Sequence, residues 1–359
     1  MSKIHIRGKQ TLVSFILFLI TFLSIHSAEA VTYTFDAFTG LPNSNAYGLN
    51  NQDIMVGRGY EGGKDFAFSY DFRDGTFTNL SPSVASISWA HAINDQGLIV
   101  GGGVSDKYRA FYWENDSIID VTPAESWGAN AIDINEKGQA VGYSKDLITH
   151  KSQPIMWEKD GSYKYLDQAQ HSNITAYSIN DYGQIAGVCE DSGVGLFWNN
   201  EESEPIEIPT PSNWNYLHPL AINNNGDVVG YGRGYGFWGR AFLYSSSNNQ
   251  FIDLHDTIWK NTFACDINDQ GQIIITASDL DDNEHILLWE DGVYADITPE
   301  INGVLSISEI NELGHIVGSG DLLNMSKTYA FIGVPVSEPL SILLLGFGLI
   351  ALAGLRRKA

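Results

Sequence analysis

A nine-residue pattern, met as Ile93-Asn94-Asp95-Gln96-Gly97-Leu98-Ile99-Val100-Gly101, recurs along the chain and narrows what it can fold into. Its asparagine stands at Asn50, Asn94, Asn135, Asn180, Asn223, Asn268 and Asn311, spaced by 44, 41, 45, 43, 45 and 43 residues. A steady period near forty with turn residues at a fixed offset marks a repeat architecture, in which each unit buries its apolar face only against the next. One repeat defines the unit. Ala90-His91-Ala92-Ile93 alternates as a strand, Asn94-Asp95-Gln96-Gly97 is a tight turn, and Leu98-Ile99-Val100 is a second strand ended by glycine. Arg109-Ala110-Phe111-Tyr112-Trp113 is an aromatic third strand, and Ile118-Ile119-Asp120-Val121 a fourth, closed by Thr122-Pro123. Four short strands per repeat is the size of a propeller blade. The chain is therefore expected to be an all-β, seven-bladed β-propeller of four-stranded antiparallel blades over residues 31–334.

The strand count is permuted. Fourth strands follow six of the aromatic strands, as in Phe77-Thr78-Asn79-Leu80 or Ile252-Asp253-Leu254, but none follows Tyr329-Ala330-Phe331. Tyr33-Thr34-Phe35-Asp36 supplies the missing one: Asp36 lies 14 residues before Asn50, and Asp120, Asp253 and Asp296 each lie 15 before their next repeat asparagine. An N-terminal strand that completes the last blade leaves the ring without an open edge.

Alternation within the first strands assigns side chains. The residue before each asparagine is large and apolar, as packing between blades requires. One residue earlier the column reads Gly48, Ala92, Asp133, Ser178, Ala221, Asp266 and Glu309. With this strand innermost, the column borders the central channel, and Asp266 and Glu309 fall on adjacent blades. Two readings stay open for these acids: a hydrated channel without ligand, or like charges that favour a bound cation or one retained proton. The repeat asparagine and glycine read as turn chemistry, since Asn bonds its own backbone and Gly takes positive φ.

The two ends carry addresses. Lys3, Arg7 and Lys9, an apolar run over 11–25 and Ala28-Glu29-Ala30 have the layout of a cleaved secretory signal over residues 1–30. At the other end Ser337-Glu338-Pro339 precedes an apolar stretch at 340–355 and then Arg356-Arg357-Lys358. Sixteen residues at about 1.5 Å each make roughly 24 Å, enough for a short transmembrane helix held by its basic end on the cytoplasmic side. This tripartite tail, residues 335–359, resembles the PEP-CTERM sorting signal of Gram-negative bacteria, with Val336-Ser337-Glu338-Pro339 in place of the usual Val-Pro-Glu-Pro. The resemblance implies an exosortase-type membrane protease as partner, and an inner-membrane stage followed by the cell surface or the extracellular space. Only Cys189 and Cys265 are present, in repeats four and six, and two free buried thiols are expected.

Charge excludes one class of partner. The chain has 43 acidic residues against 20 Lys and Arg, a net charge of −23, which repels phosphate backbones and makes nucleic acid an unfit ligand. The same surface serves solubility outside the cell or divalent cation binding, calcium being the one cofactor it would take. Asp279, Asp281, Asn283 and Glu290 imitate an EF-hand spacing, but Glu284 stands where the loop needs glycine, so the stretch reads as an acidic loop. The nine histidines show no metal-ligand spacing.

The third strands, among them Phe66-Ala67-Phe68, Arg109-Ala110-Phe111, Ala241-Phe242-Leu243 and Tyr329-Ala330-Phe331, together with the Asn-x-x-Gly turns, resemble the HAF repeats of extracellular bacterial proteins. Arg109, Arg240 and Tyr329 stand at the His position. That resemblance covers nearly the whole chain between its ends and implies export and repetition rather than an activity.

Trp113, Trp157, Trp198 and Trp289 belong to third strands and read as blade packing. Trp89, Trp127, Trp214 and Trp259 are assigned to loops joining one blade to the next, and Trp238 to the loop between second and third strands. In a four-stranded blade both loop classes emerge on one face, opposite the short turns. Two readings remain: these rings fill gaps between blades, or Trp127, Trp214, Tyr216, Trp238 and Trp259 form a face on which sugar rings stack. The functional expectation is an exported surface or matrix scaffold that binds exopolysaccharide through that face. The competing class is a propeller enzyme, a polysaccharide lyase or hydrolase, using the channel carboxylates Asp133, Asp266 and Glu309 with His91 or His218.

Overall fold

The computed structural model describes residues 31–336, apart from 82, 84, 116, 300–304 and 323–325. The expected signal segment, the helix at 340–355 and the motif residues Ser337, Glu338, Pro339, Arg356 and Arg357 lie outside the described residues.

Seven inner strands, Ser44–Leu49, Ile87–Ile93, Ser126–Ile134, Ile174–Ile179, Trp214–Ile222, Trp259–Ile267 and Leu305–Ile310, each begin a four-stranded antiparallel sheet. These sheets are blades 1 to 7 in chain order. The seventh is completed by the N-terminal strand: Tyr33–Ala37 lies antiparallel on Tyr329–Pro335, pairing Phe35 with Gly333 and Ala37 with Phe331. The Phe35 and Phe331 rings meet edge to face at 5.6 Å, and the Tyr33 hydroxyl donates to the Gly314 carbonyl at 2.8 Å. The permuted closure is therefore present as read from the spacing.

The apolar side chains form one core per blade interface. One cluster joins Ala92, Val100 and Tyr112 of blade 2 to Ala131, Ile155 and Trp157 of blade 3. Another joins Met55 and Phe68 of blade 1 to Val317, Ala330 and Ile332 of blade 7, so the chain of interfaces closes on itself. The third-strand indoles reach back across these interfaces: Trp113, Trp157 and Trp198 donate Nε1–H to the carbonyls of Leu80, Val121 and Asp167. The basic residue ahead of the aromatic strand has a partner too. Arg109 pairs with Asp120, Arg240 with Asp253, and His285 with Asp296 on the adjoining outer strand. His285 is thus a histidine in the HAF position, one that the sequence reading passed over.

Two features differ from the sequence expectation. Every inner strand carries a β-bulge, which leaves Tyr47, His91, Ile132, Tyr177, Leu220, Cys265 and Ser308 without a cross-strand partner. A bulge sets two residues against one and sharpens the local twist, so two columns rather than one turn toward the axis. The glycine expected to end the second strand lies inside it instead. At Gly142 and Gly230 a Cβ would stand 2.1 and 2.0 Å from the carbonyls of Asn130 and His218, because the bulged inner strand is pressed against its neighbour.

The acidic loop at Asp279 is a capped hairpin. Asp279 Oδ1 accepts the backbone N–H of Asp281 and Asn283, while Glu290 closes the far end of the strand Glu284–Glu290. Cys189 and Cys265 are both free, the first buried and the second half-buried.

Candidate functional site

The axis is framed by two continuous hydrogen-bonded belts at the face of the short turns. In the first, each repeat asparagine donates Nδ2–H to the carbonyl of the next: Asn50 to Asn94, Asn94 to Asn135, Asn135 to Asn180, Asn180 to Asn223, Asn223 to Asn268, Asn268 to Asn311, and Asn311 back to Asn50, all at 2.8–3.2 Å. The same side chains accept two backbone N–H groups of their own turn, as Asn94 Oδ1 does from Gln96 and Leu98. One amide thus caps the turn and bolts two blades together. In the second belt, the side chain one position on receives the backbone N–H of the preceding blade, from Asn51 to Asp95 round to Glu312 on Asn51 at 2.7–2.9 Å. Five of its seven members are carboxylates: Asp95, Glu136, Asp181, Asp269 and Glu312.

Two cavities of about 290 and 310 Å³ lie along the axis and share Asp133, Ser178, Asp266 and Glu309 as their common wall. The predicted column is thus brought together as the constriction of the channel. A bulge leaves inner-strand N–H groups without a ladder partner, and these side chains accept them from the next blade. Asp133 Oδ2 takes Ile179 N–H and the Ser178 hydroxyl, Asp266 takes Ile310 N–H, and Glu309 takes Leu49 N–H, each at 2.7–2.9 Å. Burial raises the pKa of all three. Asp266 is pushed to about 7 by burial, with Asp133 adding like-charge repulsion, and Glu309 is held well above the ordinary carboxylate range by burial and then by Asp266. A proton is therefore retained at this constriction near neutral pH. Among the described residues, no group of three or more His, Cys, Asp and Glu is placed to hold a metal ion.

On the side of the long loops the channel is walled by the bulge column, with Tyr47, His91 and Tyr177 supplying rings. From there aromatic contacts run outward between blades. Tyr47 meets His91 at 5.7 Å, His91 meets Trp89 at 6.3 Å, Trp89 meets Tyr108 at 6.4 Å, and Tyr108 meets Trp127 at 6.4 Å. A second track joins Tyr177, His218, Tyr231 and Phe263, with Tyr216 beside His218. Polar groups fix both. Trp89 Nε1–H donates to Asn130 Oδ1, Asn130 Nδ2 meets His91 Nε2 at 3.2 Å, and the hydroxyls of Tyr216 and Tyr231 meet His218 Nδ1. Gly102 makes room for that asparagine, since a Cβ there would lie 2.1 Å from Asn130 Oδ1. Burial lowers both histidines to about 4, so they stand neutral at physiological pH and serve as hydrogen-bonding rings.

The predicted tryptophans separate. Trp127 is 39% exposed and stacks on His150 at 4.7 Å, and Trp238 is 76% exposed. Tyr216 and Trp259 are half-buried. Trp214 corrects the expectation: it is buried, with its ring against Phe237, Phe242 and Phe251. The reason is strand length. Trp127, Trp214 and Trp259 belong to nine-residue inner strands, Trp89 to a seven-residue one, and Trp238 to a third strand, not to loops. Alternation then decides which ring faces a neighbouring blade. The half-buried rings of Tyr47, Tyr177 and Tyr231 were missed, while Trp89 was assigned to a loop and His91 named only as a partner of the channel carboxylates. A bulge has no signature in the local pattern, although aromatic residues two or four places before the repeat Ile or Leu were a visible hint.

A closed ring of seven four-stranded blades about a channel defines a seven-bladed β-propeller. The chain belongs to the family described as "Protein of unknown function (DUF3466)", whose model matches residues 110–330. No curated protein matches the sequence. Among solved structures the chain is similar to an acylaminoacyl peptidase of Pyrococcus horikoshii, at 12% identity and a TM-score of 0.57, over 86% of this chain and 54% of that one. It is similar to YCF48 from Cyanidioschyzon merolae at 9% identity and a TM-score of 0.56, over 84% and 99%. A puromycin-hydrolysing peptidase of Mycobacterium tuberculosis matches at 11% and 0.51, over 80% and 50%. This chain spans about half the length of the two peptidases. At such identities the likeness is one of fold.

Proposed function

We propose that the protein is an exported binding or scaffold protein of the cell surface or extracellular matrix, holding polysaccharide on the face of its long loops. The observation that carries this reading is the continuous track of rings from exposed Trp127 through Tyr108 and Trp89 to His91 and Tyr47, with Asn130 bonded into it. Ring faces stack on the apolar faces of pyranoses, and amides bond their hydroxyls. The exit of the chain agrees with such a role. Val336 N–H bonds the Thr32 carbonyl, and Tyr33 bonds Gly314 in the Asn311 turn, so both ends leave from the short-turn face. A sorting tail of PEP-CTERM type, processed by an exosortase-type protease, would then present the loop face away from the membrane.

A second reading, a polysaccharide lyase or hydrolase, has one specific observation in its favour: Asp266 and Glu309 stand together in the channel wall with raised pKa values, so a proton retained on either is a candidate general acid. Binding of a polysaccharide panel by the purified protein distinguishes the two. On the binding reading the Tyr108→Ala, Trp127→Ala double variant loses the captured polymer, Tyr182→Ala on the opposite face keeps it, and the polymer is recovered at full length. A polymer shortened by the parent but not by Asp266→Asn would favour the enzyme. Capture of no polymer would overturn the binding reading.

A further inference from the structure

The cations of this acidic protein are mostly spoken for. Arg58, Arg73, Arg109, Lys151, Lys159, Lys164, Arg240 and Lys260 each have a carboxylate at ion-pair distance. Two others are held over aromatic rings at the mouth instead, with no carboxylate at ion-pair distance among the described residues. Arg233 lies 5.5 Å from the Tyr216 ring and 5.4 Å from the Tyr231 ring. Lys145 lies 5.9, 5.6 and 5.8 Å from the rings of Tyr108, Trp127 and Tyr143. Both are on second strands, Arg233 paired with Tyr216 and Lys145 with Gly128, at the loop end of blades 5 and 3. Rings that flank a cation restrict its side chain, so less ordering entropy is lost when an anion arrives. Of the acids in the loops on that side, Glu190 accepts the Tyr177 hydroxyl at 3.2 Å, Asp106 and Asp191 are paired with Arg109 and Lys151, and Asp146 accepts backbone N–H groups of its own turn.

We propose that the mouth takes an anionic, carboxylate-bearing polysaccharide, one built from uronic acids, with Arg233 and Lys145 meeting carboxylates while the neighbouring rings stack on the sugars. The proposal rests on the polysaccharide-binding reading above and adds the charge of the ligand. Two further facts fit it. The belt carboxylates Asp95, Glu136, Asp181, Asp269 and Glu312 that line the short-turn end of the channel repel a carboxylate, so the polymer lies across the mouth and does not thread the channel. The overall charge of −23 acts at long range and is screened beyond about 10 Å at 0.1 M salt, whereas the two cations act in contact.

The test uses the purified protein in 0.1 M salt with two probes of one backbone, polygalacturonate and the same polymer with its carboxyls reduced to alcohols. Affinity electrophoresis or calorimetry should give about fiftyfold tighter binding of the charged polymer, the product of the two contacts tested next. A bidentate guanidinium contact predicts a loss of about tenfold for Arg233→Gln, and a point charge a loss of about fivefold for Lys145→Gln. The double variant should bind both polymers equally and weakly, with an unchanged melting temperature. Lys137→Gln, on the opposite face, should change nothing. Equal binding of the two polymers by the parent overturns the proposal and leaves the polysaccharide reading standing. Binding of neither overturns both.

Discussion

Asn180→Asp isolates the part of the asparagine belt that turn chemistry does not explain. Asn180 Oδ1 accepts the N–H of Tyr182 at 3.0 Å and of Gln184 at 2.9 Å, and an aspartate keeps both acceptors. Its Nδ2 donates at 2.8 Å to Gln184 Oε1 and at 2.8 Å to the Asn223 carbonyl of the next blade, and an aspartate loses both. It also sets a carboxylate oxygen against that carbonyl at a site only 4% exposed. Two lost hydrogen bonds cost about 1 kcal/mol each, and the new carboxylate oxygen, buried and unpaired against a carbonyl that keeps only the Gly226 N–H, adds about 1–3 kcal/mol, so the whole is on the order of 4 kcal/mol. With an unfolding entropy of about 2.1 cal/mol/K per residue over roughly 300 residues, that is a fall in Tm of about 6 °C. Calorimetry at pH 7 measures it, with Asn248→Asp as control. Asn248 makes the same local turn contact, Oδ1 to Gln250 N–H at 3.0 Å, on an exposed hairpin without an inter-blade bond. A Tm for Asn180→Asp within about a degree of that control would show that the belt adds nothing and that asparagine recurs for its turn alone.

Other outcomes follow from the same structure. Deleting residues 33–37 removes the outer strand of blade 7 and uncovers Phe331; each buried aromatic contributes roughly 1.5–3 kcal/mol, so the truncated chain should aggregate or melt far below the parent, while removal of the exposed Tyr235-Gly236 hairpin tip costs much less by the same melt. Because the folded pKa of Asp266 is raised to about 7 against an ordinary value near 4, its contribution to stability is complete below pH 4 and is lost as pH rises through 7. Asp266→Asn should therefore show a smaller fall in Tm between pH 5 and pH 8 than the parent; parallel curves would remove the retained proton. Trp214→Ala should cost about 3–5 kcal/mol by leaving a cavity among Phe237, Phe242 and Phe251, whereas Trp238→Ala should leave the melt unchanged. Intact mass of the protein recovered from a host with the sorting protease should lack residues 340–359; the full tail on the extracellular form would leave a plain anchor.

Much of this was legible in the residues. The seven asparagines set the blade number, and the offset of Asp36 located the strand that closes the ring. The column before the repeat Ile and Leu placed Asp266 and Glu309 on adjacent blades, where Asp266 accepts the N–H of Ile310 beside Glu309 and Glu309 accepts that of Leu49 on the next blade. What escaped were relations that alternation alone does not encode. A bulge shifts the period by one, so Tyr47 and Tyr177 reach the channel from positions that read as facing a blade interface. The belt bonds join residues more than forty apart, and nothing in one repeat tells a turn asparagine from one that also reaches its neighbour. Trp214 and Trp127 stand one place apart in their repeats: Trp214 pairs with Gly234 and lies under Phe237 and Phe251, whereas Trp127 falls in a second bulge of its strand and stays exposed.

The claim that one face of the propeller is the binding face is tested most directly by hydroxyl-radical footprinting of the purified protein, with and without a saturating amount of the polysaccharide it captures. Tyr182 and Leu313 are 71% and 53% exposed on the short-turn face, and Tyr108 and Trp127 are 37% and 39% exposed on the other. Protection of Tyr108, Trp127 and Tyr216, with Tyr182 and Leu313 oxidised as fast as before, is the result the account predicts. Protection of Tyr182 and Leu313, or equal protection of both faces, would contradict it.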